Sequence, residues 1–285
     1  MIRKPAAWRR KFTFQGRPYF YNRIPFNNRA ERAVEIPLAF EFLKRSSMQA
    51  NILEIGNTLQ YYENMLSDAY GLHSRLIIDK FEVDLAVENL DIMHLDPQKK
   101  YHAIVSVSTV EHVGQHCDPS GVFGEQKQIS DREAPLKAIA KVYDLLEVGG
   151  RALITVPFGK LIDGGWYIQF SSDYLQLLTT SYRIPQEAIS IGLLRRITSE
   201  PVWNNPRQIW VEAMPEELAE VRYDDMLSGA RAIAVIELTK QNEPYLLDFD
   251  VPPTPLSYES SQLSKGLFLT VGTIRKTVSS LVLHR

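Results

Sequence analysis

Cysteine is almost absent: the 285-residue chain has one, Cys117. No internal disulfide framework is available, and a single thiol suits a reducing compartment, so a cytoplasmic location is expected. Long apolar runs are missing too. None approaches the roughly 18 residues that span a bilayer. The N-terminus is basic but carries no apolar core behind it, so it does not read as a secretory signal. There is no internal repeat and no low-complexity tract.

What remains is the composition of a soluble globule, with 45% hydrophobic and 23% charged residues. The length allows one large domain or two small ones. The net charge of −2 hides an asymmetry: residues 1–32 hold nine Lys or Arg and one acid, Glu31. Aromatic residues are interleaved there, among them Phe12, Phe14, Tyr19 and Tyr21. One reading is a surface for an anionic partner. The other, which we favour, packs the aromatics on the core and leaves the Arg side chains in water. A nucleic-acid partner is not expected.

Hydrophobic spacing predicts a helix over 31–45, with Val34, Leu38, Phe42 and Leu43 on one face and Pro37 tolerated only near its start or at a kink. A first strand, 51–56, is followed by an amphipathic helix containing Tyr61, Met65 and Leu66, which Gly71 is placed to end. Further strands are expected at 75–79, 87–91 and 101–110. A polar stretch, 114–132, is long enough to be functional or mobile. A helix over 133–147, stopped by Gly149-Gly150, leads to a strand at 151–156. Helix 173–180 and strands at 189–194, 208–213 and 232–238 complete the series. Alternating strands and helices over 51–156 require right-handed crossovers and a mostly parallel sheet covered on both faces. Three segments follow: an extension with a helix (1–48), the α/β domain (49–242), and a Pro-rich linker with an amphipathic tail (243–285).

The most telling stretch is Asn51-Ile-Leu-Glu-Ile-Gly56, an apolar run ending on an acid and a glycine. A second run, Arg75-Leu-Ile-Ile-Asp79, ends on another acid 23 residues after Gly56. That is close to the roughly 20 residues between the glycine turn and the ribose carboxylate of a nucleotide-binding βαβ unit. The spacing points to an adenosine-containing cofactor. Gly56 allows a tight turn, Asp79 can accept bonds from ribose hydroxyls, and Asp91 can accept from an adenine amino group. Each also has a plainer reading as an ordinary turn, a surface acid or a helix cap. The turn Gly56-Asn-Thr-Leu-Gln60 lacks the further glycines of G-x-G-x-x-G, which argues against a pyrophosphate. No Tyr-x-x-x-Lys pair is present either, so a nicotinamide-dependent oxidoreductase is poorly supported.

Together with Asp79 and Asp91, the Asn51–Gly56 run, the Tyr101–Gly114 segment ending Val-Glu-His-Val-Gly, and Leu146-Glu-Val-Gly-Gly-Arg-Ala-Leu-Ile-Thr-Val-Pro157 resemble class I S-adenosylmethionine-dependent methyltransferases, in that family's order and spacing. The resemblance covers about 50–160. It extends loosely to Glu31-Arg-Ala-Val-Glu-Ile-Pro37, which looks like a segment of bacterial methyltransferases encoded with glycan-assembly enzymes. It implies a Rossmann-like, doubly wound, seven-stranded α/β sheet with a reversed last strand, and S-adenosyl-L-methionine as cofactor. Glu54 and Gly56 would line its methionine part, Asp79 the ribose and Asp91 the adenine, with Asn57, Lys80, Ile92 and Ser108 completing the cofactor-binding set. The first motif departs from the family in keeping one glycine where two or three are common.

Methyl transfer from a sulfonium needs alignment, and a hydroxyl nucleophile needs a base. His112 is the candidate base, with Glu111 to orient it or act itself; a histidine packed under the cofactor and bonded to backbone is the plainer reading. No metal is expected: Glu111, His112, His116 and Cys117 offer few oxygens to a hard cation, and Ser108 stands where some magnesium-dependent relatives carry Glu. The expected function is O-methylation of a sugar, glycan or other small polar metabolite. The alternative is a non-catalytic module of the same fold. The tail from Glu259 has Leu263, Leu267, Val271, Ile274, Val278 and Leu281 at steps of four and three, which suits peripheral contact with an anionic membrane or packing on protein. Oligomeric state is not legible.

Overall fold

The structure, a computed structural model, describes residues 10–25, 27–46, 51–72, 75–82, 84–116, 131–200, 207–223 and 229–260. Cys117, most of the 114–132 stretch, Arg3, Lys4 and Arg9 of the basic segment, and the amphipathic tail beyond Ser260 lie outside the described residues.

A seven-stranded sheet forms the frame. Its parallel half is built from β3 (Ile52–Ile55), β4 (Leu76–Ile78), β5 (Tyr101–Val107) and β6 (Leu146–Pro157). Strand β11 (Ala232–Thr239) runs antiparallel between β6 and β9 (Ile189–Ser199), and β10 (Gln208–Glu212) closes the edge against β9. The order is therefore β10-β9-β11-β6-β5-β3-β4. This is the α/β architecture with the parallel core that the pattern predicts and the reversed strand that the resemblance implies. Alternate residues of the strands feed two separate cores, as a doubly wound sheet requires. Leu53, Ile104 and Ile154 face one side, with α3 (Ala134–Leu145) and α4 (Ser172–Thr180) over them. Ile52, Val105 and Leu153 face the other, under α1 (Arg32–Lys44). Helix α2 (Glu63–Tyr70) follows β3 and ends at Gly71, which is left-handed at φ 66° as its position predicts.

Two expectations need correction. The strand foreseen at 87–91 is a single bridge, Ile78 to Glu88. Asn89 turns its amide to the carbonyls of Asp79 and Glu82, and Asp91 caps a 3₁₀ turn over Ile92–His94, so local side-chain bonds displace the ladder. The strand expected at 208–213 forms β10, at the opposite edge of the sheet. Helix α3 ends at Leu145, and Gly149-Gly150 sit within β6 rather than stopping a helix. There Leu146 pairs with Tyr101, and Gly149 N–H donates to the Lys240 carbonyl.

The basic, aromatic N-terminal segment forms a hairpin, β1 (Lys11–Phe14) and β2 (Arg17–Phe20), around Gln15-Gly16. Both turn residues have positive φ, 49° and 72°, as a two-residue turn matched to strand twist demands. Phe12 and Phe14 are buried while Lys11 and Arg17 stay exposed. Gly192 of β9 leaves the room that Phe14 fills. Pro37 lies inside α1 and cannot donate to the Ala33 carbonyl four residues back. Asn22 N–H takes that place at 2.8 Å, so the proline that weakens the helix creates the acceptor that anchors the segment after the hairpin. After β11 the chain packs as an extended strap over the α3–α4 side: Tyr245 OH donates to the Tyr182 carbonyl, and Thr254 N–H to Glu133. It ends in β12 (Glu259–Ser260), which pairs with β7 (Ile162–Asp163); β7 also pairs with β8 (Ile168–Gln169).

Candidate active site

A cavity of about 400 Å³ opens at the carboxyl ends of β3, β4 and β5. This is where an open α/β sheet binds its ligand. Its wall includes Gly56, Asn57, Asp79, Lys80, Asp91, Ile92, Ser108, Glu111 and His112. Asp79 and Asp91, distant in sequence, thus face one space.

Glu54 does not reach that wall. It is 1% exposed and holds the turn from behind, with Oε1 accepting from Leu59 N–H at 2.7 Å and Oε2 from Arg75 Nε at 2.5 Å. Both oxygens are bonded to protein, which suits the holding of the turn, one of two roles open to this acid, rather than the lining of the methionine part that the resemblance implies. Gly56 has φ 81°, and any side chain there would collide with that of Thr109. The turn therefore requires glycine on two grounds. Asn57 donates to Gln60 and Glu82, while its Oδ1 is buried without a hydrogen-bond partner among the described residues.

Asp79 Oδ1 accepts from the N–H groups of both Phe81 and Glu82; Oδ2 takes part in neither bond. Asp91 Oδ1 caps Met93 N–H, and Oδ2 pairs with Lys80 Nζ at 2.9 Å. Burial disfavours the Asp91 charge, but those two partners outweigh it and hold the carboxyl below its usual range.

The other end of the cavity is built differently. Ser108, at the tip of β5, has φ 43°, a strained value for a residue with a side chain. Its hydroxyl donates to Glu35 Oε1 at 2.7 Å, away from a cofactor role. Glu35 is fully buried on α1 and paired with Arg32. Glu31, one turn earlier, accepts from Ala230 N–H at 2.8 Å. Glu111, 3% exposed, lines the cavity with Oε2 lacking any partner among the described residues. Burial pushes its carboxyl well above the usual range; Glu35 and Glu31 add to the shift and Arg32 opposes it. Glu31 is raised as well, by burial and then by Glu35.

His112 stacks on Trp166, centroids 4.9 Å apart and planes 6° from parallel. Its Nδ1 lies 2.9 Å from the Trp166 carbonyl, which can only accept, so Nδ1 carries the proton and Nε2 the lone pair of the neutral ring. Nε2 is 3.8 Å from Glu111 Oε1. Among the described residues no group of His, Cys, Asp or Glu is placed to hold a metal ion. No helix among them is long and apolar enough to cross a membrane.

Several wall residues escaped the sequence reading: Glu31, Arg32, Trp166, Tyr167 and Tyr223, with Glu35 behind them. Two signals were available. Glu31 and Glu35 stand one turn apart at the start of α1, Glu35 among the apolar Ala33, Val34, Ile36 and Leu38, and Gly164-Gly165 precede the aromatic pair Trp166-Tyr167.

No family model and no curated protein matches the sequence. Solved structures similar to this chain include the N-methyltransferase NodS from Bradyrhizobium japonicum in complex with S-adenosyl-L-homocysteine, at 11% identity over 74% of this chain and 87% of that one, TM-score 0.40. A SAM-dependent methyltransferase from Archaeoglobus fulgidus is similar at 14% identity over 71% and 90%, TM-score 0.41. The YcgJ protein from Bacillus subtilis is similar at 10% over 73% and 99%, TM-score 0.40. Strand order and register by themselves establish the α/β sheet with its parallel core and reversed β11.

Proposed function

We propose that this protein transfers a methyl group from S-adenosyl-L-methionine to a small polar acceptor bearing an oxygen or nitrogen nucleophile. The observation that supports this most is the single cavity at the strand ends, shared by all the candidate site residues except Glu54. Its volume of about 400 Å³ suits a small-molecule site. The donor set suits the cofactor as well. Asp79 is an acceptor for ribose hydroxyls, and the partnerless Asn57 Oδ1 is an acceptor for the amino group of the methionine part.

Bound there, the cofactor would supply an electrophilic methyl group open to in-line displacement. The chain's own residues do the rest. The Gly56 turn brings the backbone close to the ligand, and Glu54 with Arg75 keeps that turn rigid. The Trp166 carbonyl fixes the His112 tautomer, which leaves Nε2 to take a proton from the acceptor as the nucleophile forms its new bond. The stacked Trp166 ring screens that proton transfer from water.

Titration calorimetry with S-adenosyl-L-methionine and S-adenosyl-L-homocysteine tests the reading. Binding of both is expected; no heat from either, with folded protein, sinks it. Asp79→Ala should weaken the homocysteine product by about tenfold or more, the loss expected for hydrogen bonds to a charged group. The packing of Thr109 against a one-glycine turn favours, as a second reading, a non-catalytic module. Consumption of the cofactor with any acceptor excludes it.

A further inference from the structure

Among the described residues, the acid-lined end of the cavity holds more carboxyl groups than cationic partners. Three carboxyl groups, Glu31, Glu35 and Glu111, there meet one guanidinium, Arg32, which is already paired with Glu35. Ser108 satisfies the other oxygen of Glu35, and Ala230 N–H satisfies one of Glu31. Glu111 Oε2 is left with nothing among the described residues, although the residue is 3% exposed and lies on the cavity wall. A buried acid without a partner is costly, and a hydrogen-bond donor that also brings positive charge offsets most of that cost. Trp166, Tyr167 and Tyr223 line the same cavity, and aromatic rings beside a carboxylate suit the carbon skeleton of a cation.

We propose that this end of the cavity binds the acceptor as a protonated amine, with its ammonium group against Glu111 Oε2 and Glu31. The inference rests on the methyl-transfer reading and names its acceptor class. A neutral hydroxyl would satisfy the geometry of Glu111 but supply no counter-charge to the surplus acids. For transfer, the ammonium gives one proton to His112 Nε2. The freed nitrogen lone pair forms the N–C bond to the methyl carbon while the S–C bonding pair leaves with sulfur. The products are an N-methylammonium and the neutral thioether. Burial raises the Glu111 carboxyl above its usual range, and an ammonium against Oε2 would oppose that shift and favour release of the proton.

The test uses the full chain saturated with S-adenosyl-L-homocysteine and two matched probe pairs, glucosamine with glucose and ethanolamine with ethylene glycol. The amines should bind about tenfold or more tighter than their alcohols, with proton release seen as a heat that varies with the ionisation enthalpy of the buffer. Glu111→Gln should reduce that preference to about twofold or less and abolish the release. If Glu111→Gln no longer folds, judged by loss of homocysteine-product binding, Glu31→Gln serves, with a smaller loss of preference expected. Equal affinity for amine and alcohol, no binding of either amine, or an undiminished preference in the variants overturns the inference. Absence of homocysteine-product binding in the unmodified protein instead overturns the methyl-transfer reading itself, so the two failures are distinct.

Discussion

Carboxylates occupy both ends of the cavity, and the fold handles them in opposite ways. At the Gly56–Asp91 end, Asp79 and Asp91 are half-buried and each accepts backbone N–H groups; Asp91 also has Lys80. Its charge is stabilised, and its carboxyl sits below the usual range. At the α1 end, Glu35 and Glu111 are fully buried, Glu31 stands beside them, and the acids share one arginine. Burial there outweighs the available partners, and Glu111 and Glu31 are raised. The same side-chain chemistry thus yields a carboxyl held below its usual range at one end, that of Asp91, and carboxyls raised above it at the other, those of Glu31 and Glu111. Environments that push like groups apart in this way separate a binding role from a proton-handling role.

The largest test of that contrast is His112, the base beside the raised acids. His112→Ala should lower the turnover number by about two to four powers of ten with little change in affinity for the homocysteine product. An unchanged rate would return His112 to a packing role and leave the α1 end without a base. Next is the support of the other end. Glu54→Ala strands Arg75, whose side chain is 3% exposed, with only the half-exposed Glu63 as partner. It should destabilise the fold by about 3 kcal/mol in chemical denaturation, as loss of one member of a buried pair does. A loss near zero would mean that the turn stands without the pair.

Smallest, but most specific to the comparison, is the sign of the pH dependence. Glu111 ionises at about 4.5 in the unfolded chain and well above that when folded, so across this window the unfolded state loses the proton first and stability falls as pH rises. Glu111→Gln should therefore flatten the decline, gaining on the parent protein as pH rises. Asp91 is lowered from 3.8, so its contribution is complete above that value and lost as pH falls through the folded value. Asp91→Asn should cost stability near neutrality and nothing in strong acid. Urea midpoints at about pH 3, 5 and 8 read both slopes. Slopes of the same sign would erase the distinction between the two ends.

Much of the frame was legible because it is written in local patterns. Apolar runs capped by an acid or glycine marked β3 and β4, and the β-branched run 101–107 marked β5. Gly71 closed α2 where a left-handed residue was needed. The expected strand at 87–91 misled because the Asn89 amide competes for the backbone carbonyls around it. The N-terminal hairpin was legible in part: Phe12 and Phe14 alternate ahead of Gln15-Gly16, and both pack on the core as the favoured reading of that segment expects.

The sequence by itself determined the parallel α/β core and the placing of Gly56 and Asp79 at the ends of neighbouring strands, because period and spacing along one chain dictate both. Only the tertiary structure decided that Glu54 faces Arg75 rather than the cavity, and that Glu31 and Glu35 come to lie beside Ser108 and Glu111. Those groups are some 75 residues apart in the chain. Their shared burial, which raises two of the acids and leaves one oxygen without a partner, exists only once α1 packs against the end of β5, because desolvation is a property of the assembled surroundings and not of any segment.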